Sequence, residues 1–264
     1  MRRFGMLTVV LFVVIFCLGQ VSLADGFFGF GKGERGSGDP ATEERDLESF
    51  SEIRLEGSAD LSIAVGGEQS VTVTTDDNLL DNIVTEVTRR GILVISSEGS
   101  YRTRLGVQIE ITVPHLEELR ISGSGDVEIE DLAEEQFEIR ISGSGDVAME
   151  GEIGSLEISI NGSGNVDFDG TAQEIDVSVS GSGDVDLRGE AVEMEITING
   201  SGDVDARRMI TQRVEVDLSG SGDVRVHATD YFDGASYGSG DIDVYGDPED
   251  FTRYEDGSGD IRKR

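Results

Sequence analysis

From about residue 119 onward, apolar and polar side chains alternate on a fixed beat. Between the first glycines of successive "GSG" turns (Gly123, Gly143, Gly162, Gly181, Gly200, Gly220, Gly238, Gly257) the steps are 20, 19, 19, 19, 20, 18 and 19 residues. Aliphatic residues stand four and two places before that glycine, as Ile139 and Ile141 or Ile158 and Ile160. Others stand four and six places after it, as Val147 and Met149 or Val166 and Phe168. Alternation of period two sends these inward and the intervening acids, serines and threonines outward. Self-similarity near 20 residues marks a stacked array. A second turn follows at "EG" 150, "DG" 169 and "RG" 188, then a short apolar edge at Leu132, Ile153, Ala172, Val192 and Ile210. Each repeat thus reads as a roughly triangular coil, stacked on its neighbour by parallel pairing about 4.8 Å apart. The predicted class is all-β, a parallel β-helix (β-solenoid) of about 19-residue coils over residues 116–262. A hairpin meander with GSGD at its tips is the competing topology. Near identity of length and letter at every level favours stacking, because lateral ladders demand it and a meander does not.

Residues 45–115 also alternate ("SEIRLEG", "LSIAV", "SVTVTT", "ILVISS", "VQIEITV") but keep no 19-residue step, and "DDNLLDNI" suits one helical turn. They are expected to form an irregular β-rich cap or first coils, covering strand edges that would otherwise lie bare. Residues 25–44 are glycine-rich without periodicity and read as a flexible tether; the "GSGD" at Gly36 lacks flanking alternation and is not counted as a corner. The first 24 residues carry Arg2 and Arg3, an apolar run from Met6 to Leu18, and Ser22 and Ala24 at cleavage spacing. They are expected to be a signal peptide. The run is short for an uncleaved anchor. Cys17, the sole cysteine, follows bulky Phe16 and does not suit a lipoprotein signal. Export to the periplasm, the outer envelope surface or the medium is expected, without an internal disulfide or a stable membrane span.

Charge narrows the partners. The formal net charge is −33, and losing residues 1–24 makes it two units more negative. Nucleic acid and anionic lipid would be repelled. Lysine occurs only at positions 32 and 263.

The corners raise the one chemical question. Glycine there suits either positive φ or a backbone stacked too closely for a β-carbon, while serine and aspartate can bond neighbouring amides. Stacking aligns Asp126, Asp146, Asp184, Asp203, Asp223, Asp241 and Asp260, with Asn165 interrupting. Carboxylates 4.8 Å apart repel by about 3.5 kcal/mol at an effective dielectric of 20. Burial of a coil's inward side chains contributes on the order of 10 kcal/mol before entropy is subtracted. An exposed ladder is therefore tolerated, and a half-buried one needs amides or cations. Calcium is the cation that suits rows of carboxylates, so the first six aspartates are candidate metal ligands and calcium is the one cofactor considered. The calcium-binding nonapeptide pattern is not met, which makes amide capping the default. His115 and His227 lie far apart and beside no nucleophile, so catalysis is not expected.

The run "RDLESFSEIRLEGSADLSIAVGGEQSVTVTTDDNLLDNIVTEV", with "IEITVPHLEELRISGSGDV" and serial "GSGDV" or "INGSGNV" turns, resembles the head GIN domain family of autotransporter adhesins over about residues 45–262. The resemblance implies a secreted bacterial protein with a right-handed β-helical body, and it transfers no catalytic residue. No membrane-barrel segments are read after the last repeat, so self-export is not expected. The combined expectation is an exported, non-enzymatic β-solenoid acting as a structural, adhesive or ligand-presenting envelope module, with a glycan or envelope protein as partner. A calcium-dependent repeat protein is the alternative, and a glycan-active β-helix enzyme the more distant one. Ser236 and Glu255 replace inward aliphatics in the last two repeats, so a frayed or capping C-terminal end is expected.

Overall fold

The computed structural model describes residues 33–264; the expected signal peptide and residues 25–32 of the expected tether lie outside the described residues. Apart from one 3-10 turn at Leu80–Asn82, within the stretch read as a helical turn, every regular element is a strand. The corners stack in parallel, so the meander is excluded: Ile139 pairs with Ile158, Ile158 with Val177, and Val177 with Ile196. The second turn is crossed without breaking the ladder, Gly151 lying on Gly170 and Gly170 on Gly189. Each middle coil is consequently one long bent strand, such as Val147–Ile160 or Val166–Val179.

Two sheets run the length of the rod. In the entry sheet, formed by residues leading into each corner, Ile83–Val87 lies antiparallel on Ile92–Ser97. That strand pairs in parallel with Glu52–Leu55, which pairs with Glu118–Ile121, and coil follows coil up to Asp250–Glu255. In the exit sheet, Pro40–Glu44 lies antiparallel on Ser70–Asp76, which lies antiparallel on Gln108–Val113. Parallel pairing then continues through Asp60–Val65 and Val127–Glu130 to Ile261–Lys263. Between the sheets the inward rows are fully buried, as at Ile139, Ile158, Val177 and Ile196.

The structure decides one alternative and corrects two expectations. Of the cap or first coils expected over 45–115, residues 52–65 are a coil with its own corner, wedged between residues 92–113 below and 118–130 above, out of chain order. Residues 33–44, read as tether, belong to the fold. Glu34–Arg35 pairs with Tyr101–Arg102, and the buried Asp76 carboxylate accepts the Gly38 N–H at 2.6 Å and the Thr103 hydroxyl at 2.5 Å. Those bonds hold the Asp76 pKa below the ordinary carboxylate range, the Thr103 bond contributing most. At the third edge, Ala191 and Met209 point inward, whereas Val192 is half-buried and Ile210 is 47% exposed. Ala191, not Val192, stands in register on inward Ala172, so Val192 is one place past the row. In the next coil an extra residue between Asp205 and Arg208, which pair with Asp186 and Arg188, makes a bulge that shifts the phase at Ile210.

The C-terminal end closes on polar bonds and one aromatic stack. Buried Ser236 donates its hydroxyl to the Gly240 carbonyl, and the Glu255 carboxylate accepts the Ile261 N–H at 2.8 Å. Phe251 stacks on Phe232 at 5.1 Å.

Candidate functional site

The GSGD corner is built by proximity, not by unusual torsion. A β-carbon on Gly143 would lie 2.1 Å from the Gly123 carbonyl oxygen, and one on Gly162 would lie 2.2 Å from that of Gly143. Among the eight first glycines from Gly123 to Gly257, only Gly181 and Gly220 have φ in the positive range, at 151° and 154°. The carbonyl of each such glycine accepts the N–H of the serine one coil up, as Ser144 on Gly123 and Ser163 on Gly143. A side chain would push these coils apart.

The aspartates form a column in which every member serves the next. Asp126 N–H donates to Asp60 Oδ1 at 3.2 Å, Asp146 N–H to Asp126 Oδ1 at 3.2 Å, and Asp203 N–H to Asp184 Oδ1 at 2.9 Å. Asp223, Asp241 and Asp260 continue the series at 2.7, 3.0 and 2.9 Å. One carboxylate oxygen thus replaces the main-chain acceptor that the bend removes. Asn165 fits because its carbonyl oxygen accepts the Asp184 N–H at 2.9 Å while its own NH₂ donates to Asp146. Asp241 is pushed below the ordinary carboxylate range, first by the Asp260 N–H and then by Arg262. The structure therefore brings Asp126, Asp146, Asp184, Asp203, Asp223 and Asp241 into one file along the rod. Among the described residues, no group of three or more His, Cys, Asp and Glu side chains is gathered so as to hold a metal ion.

The base of this file was missed. "LEGSADLSI" is a corner in which Ala59 replaces the second glycine, and Ile53, Leu55, Leu61 and Ile63 keep the usual offsets. Those offsets were the available signal. The 66-residue gap to Gly123 hid it.

On the outer surface of the entry sheet a second acidic file runs through Glu118, Glu138, Glu157, Asp176, Glu195, Glu215 and Asp233, all in register. At its lower end arginines answer it. Burial works against the Glu118 carboxylate, but Arg120 and Arg140 outweigh it and hold its pKa down. Above Arg140 the same column reads Ser159, Ser178, Thr197 and Asp217, and the compensation stops. Burial, then the neighbouring carboxylates, push Asp176 and Glu195 above the ordinary range.

Near its upper end this surface is notched. A cavity of about 150 Å³ is lined by Glu195, Glu215, Asp217, Asp233, Gly234 and Ala235. Ala235 stands in the column between Asp217 below and Tyr254 above. The rings of Tyr237 and Tyr254 lie 5.7 Å apart at 47°, with the residues 51% and 55% exposed. Neither tyrosine was singled out from sequence.

The histidines stay apart. Exposed His115 lies 3.3 Å from Glu134, and His227 pairs with Tyr245 on the exit sheet.

Comparison with known proteins places this architecture. A family profile described as "Putative auto-transporter adhesin, head GIN domain" matches residues 49–188 and 150–248. Among solved structures, a "putative lipid binding protein" from Parabacteroides distasonis is 30% identical with a TM-score of 0.81, over 88% of this chain and 100% of the other. A "putative adhesin" from the same organism is 23% identical with a TM-score of 0.83, over 88% and 100%. Another, from Parabacteroides merdae, is 21% identical with a TM-score of 0.79, over 86% and 98%; these last two show the fold alone. No curated protein matches the chain.

Proposed function

The chain belongs to the head GIN domain family, and from that premise we propose that it is an exported, non-enzymatic display rod that binds an envelope glycan or protein through its outer faces. The observation that carries this reading is the entry-sheet surface above Arg140. Row after row it repeats outward carboxylates in register with no further arginine in the adjoining Arg140 column, an arrangement the fold does not require, and at Asp176 and Glu195 burial and then the neighbouring carboxylates raise the pKa. An adhesive surface repeats a weak contact along a rigid axis, and a stack of near-identical coils supplies that repetition. The inward rows fill the interior with side chains. Binding of a lipid, the property in the name of the P. distasonis relative, would therefore use an outer face that carries strong negative charge. The corner aspartates act as amide caps in this reading, with calcium unnecessary.

The purified protein applied to an array of glycans and envelope proteins tests it. Retention on a defined glycan or protein, equal in millimolar calcium and in chelator, is expected. Retention no greater than that of a charge-matched control, or cleavage of a polysaccharide, overturns it; retention that collapses in chelator transfers the role to the aspartate file.

A further inference from the structure

Resting on that reading, we propose that Tyr237, Tyr254 and the notch below them form a subsite for an amino sugar with a free ammonium group, such as the glucosamine unit of a deacetylated glycan. These are the two exposed tyrosines that pair ring to ring, and they stand where the columns of small polar residues end. The Ser219 column ends toward Tyr237 and the Asp217 column on Tyr254, with the small Ala235 directly below Tyr254. Exposed aromatic rings favour a ligand with an apolar face, and the C–H face of a pyranose is one.

Size argues for a small ligand. The exposed halves of two such rings offer about 200 Å², against about 800 Å² per partner in a stable protein interface. Charge selects the sugar. The notch is lined by Glu195, Glu215, Asp217 and Asp233 and by no arginine or lysine, and Arg213 on this face is engaged over the Tyr231 ring at 4.4 Å and beside Glu193 at 3.5 Å. A cation placed there relieves carboxylate repulsion and meets the tyrosine faces as Arg213 meets Tyr231. A bare metal ion would leave the rings unused. An acidic sugar would be repelled. In an amino sugar the apolar ring face and the ammonium group belong to one small ligand, and Ala235, which lines the notch, pairs directly with Tyr254.

The test titrates the whole protein with glucosamine hexamer, N-acetylglucosamine hexamer and hexalysine, following tyrosine emission, which no tryptophan obscures. Glucosamine hexamer is expected to bind at least about tenfold more tightly than its acetylated form. The double variant Tyr237→Ala/Tyr254→Ala, followed by calorimetry, should lose about tenfold for glucosamine hexamer and leave hexalysine unchanged. The double phenylalanine variant keeps the rings and should keep binding, which separates loss of the site from loss of the fold. Asp217→Asn/Asp233→Asn should erase the preference between the two sugars. No binding of glucosamine hexamer, or equal binding by the alanine pair, overturns the subsite. Should the array yield another ligand, the display reading survives that result, whereas cleavage of the hexamer would sink the display reading whatever the tyrosines do.

Discussion

The two ends of the rod solve the same problem in opposite ways. At the lower end the parallel sheets stop against antiparallel strands, Ile83–Val87 on one and Ser70–Asp76 with Pro40–Glu44 on the other. Pro40, Glu43 and Glu44 make the last of these a poor template for a further strand. At the upper end Asp250–Glu255 and Ile261–Lys263 carry no covering strand among the described residues. Arg262 spans Asp241 and Asp260 while Arg264 holds Asp243, so salt bridges tie down the last turn. Covering an edge requires the chain to leave the repeat and return, and the wedged coil at residues 52–65 is the result. The described upper strands keep the repeat instead, and charge guards their edge.

This contrast is sharpest under deletion. Removing residues 162–180, one middle coil, discards Val166, Phe168, Ile175, Val177 and Val179, all fully buried. Their burial is worth on the order of 10 kcal/mol before chain entropy is subtracted. Removing residues 246–264 discards one fully buried aliphatic, Ile261, and the half-buried Phe251. Calorimetry should show the larger fall in melting temperature for the middle deletion; equal falls would mean that the upper end is as well packed as the centre.

A single β-carbon asks the same question at smaller scale. Gly162→Ala would place it 2.2 Å from the Gly143 carbonyl oxygen inside the stack, and Gly257→Ala 2.1 Å from that of Gly238 at the end. The clash is alike, but only the end coil can move away. About 3 kcal/mol is expected for the first and about 1 kcal/mol for the second in denaturant unfolding.

What could be read from the chain follows this division. The ladder of a regular stack places like residue on like residue, so the coils from Gly123 upward printed themselves as a period, and their inward rows were legible as letters. The coil at Gly57 obeys the same local code, but its neighbours in space are 66 residues away in one direction and out of order in the other, and a period cannot show that. The strands at Glu34–Arg35 and Pro40–Glu44 were illegible because what orders them is remote: Asp76, Thr103 and the backbone at 100–102. The aspartate file was legible as a column, yet its bonding partner, the amide one coil up, became definite only with coordinates. The tyrosine pair was hidden because its members sit at different offsets in different repeats and meet only through the register.

The corner acids allow a finer distinction between the regular stack and its ends. Asp184→Ala leaves the Asp203 N–H without its acceptor and should cost about 1 to 2 kcal/mol. Asp184→Asn should cost less than half of that, since Asn165 already does the same work with its amide oxygen. Asp260→Ala, at the end, orphans no amide among the described residues and should be near neutral. If Asp184→Asn were instead as damaging as alanine, and the damage appeared only in calcium, the file would be a metal site rather than a series of caps.

Acid titration separates the two groups of carboxylates, with the smallest effect. Glu138, Asp176 and Glu195 have folded-state pKa values raised by burial and then by neighbouring carboxylates. The native state therefore holds more protons at these positions than the unfolded chain, and stability rises as pH falls from neutral toward the ordinary carboxylate range. Asp76, Glu118, Asp205 and Asp241 have lowered pKa values. Their stabilisation is complete above the ordinary value and is lost as pH drops through the lowered one. Melting temperature should therefore climb slightly between about pH 7 and pH 5 and fall below about pH 4. Replacing Asp176 and Glu195 together by Asn and Gln should flatten the climb and leave the fall, because the raised group lies on the display face while the lowered group consists of carboxylates bonded to amides, hydroxyls or arginines. A curve that declines steadily from neutral would show that the face carboxylates do not strain one another, and the charge that selects the ligand class would lose its support.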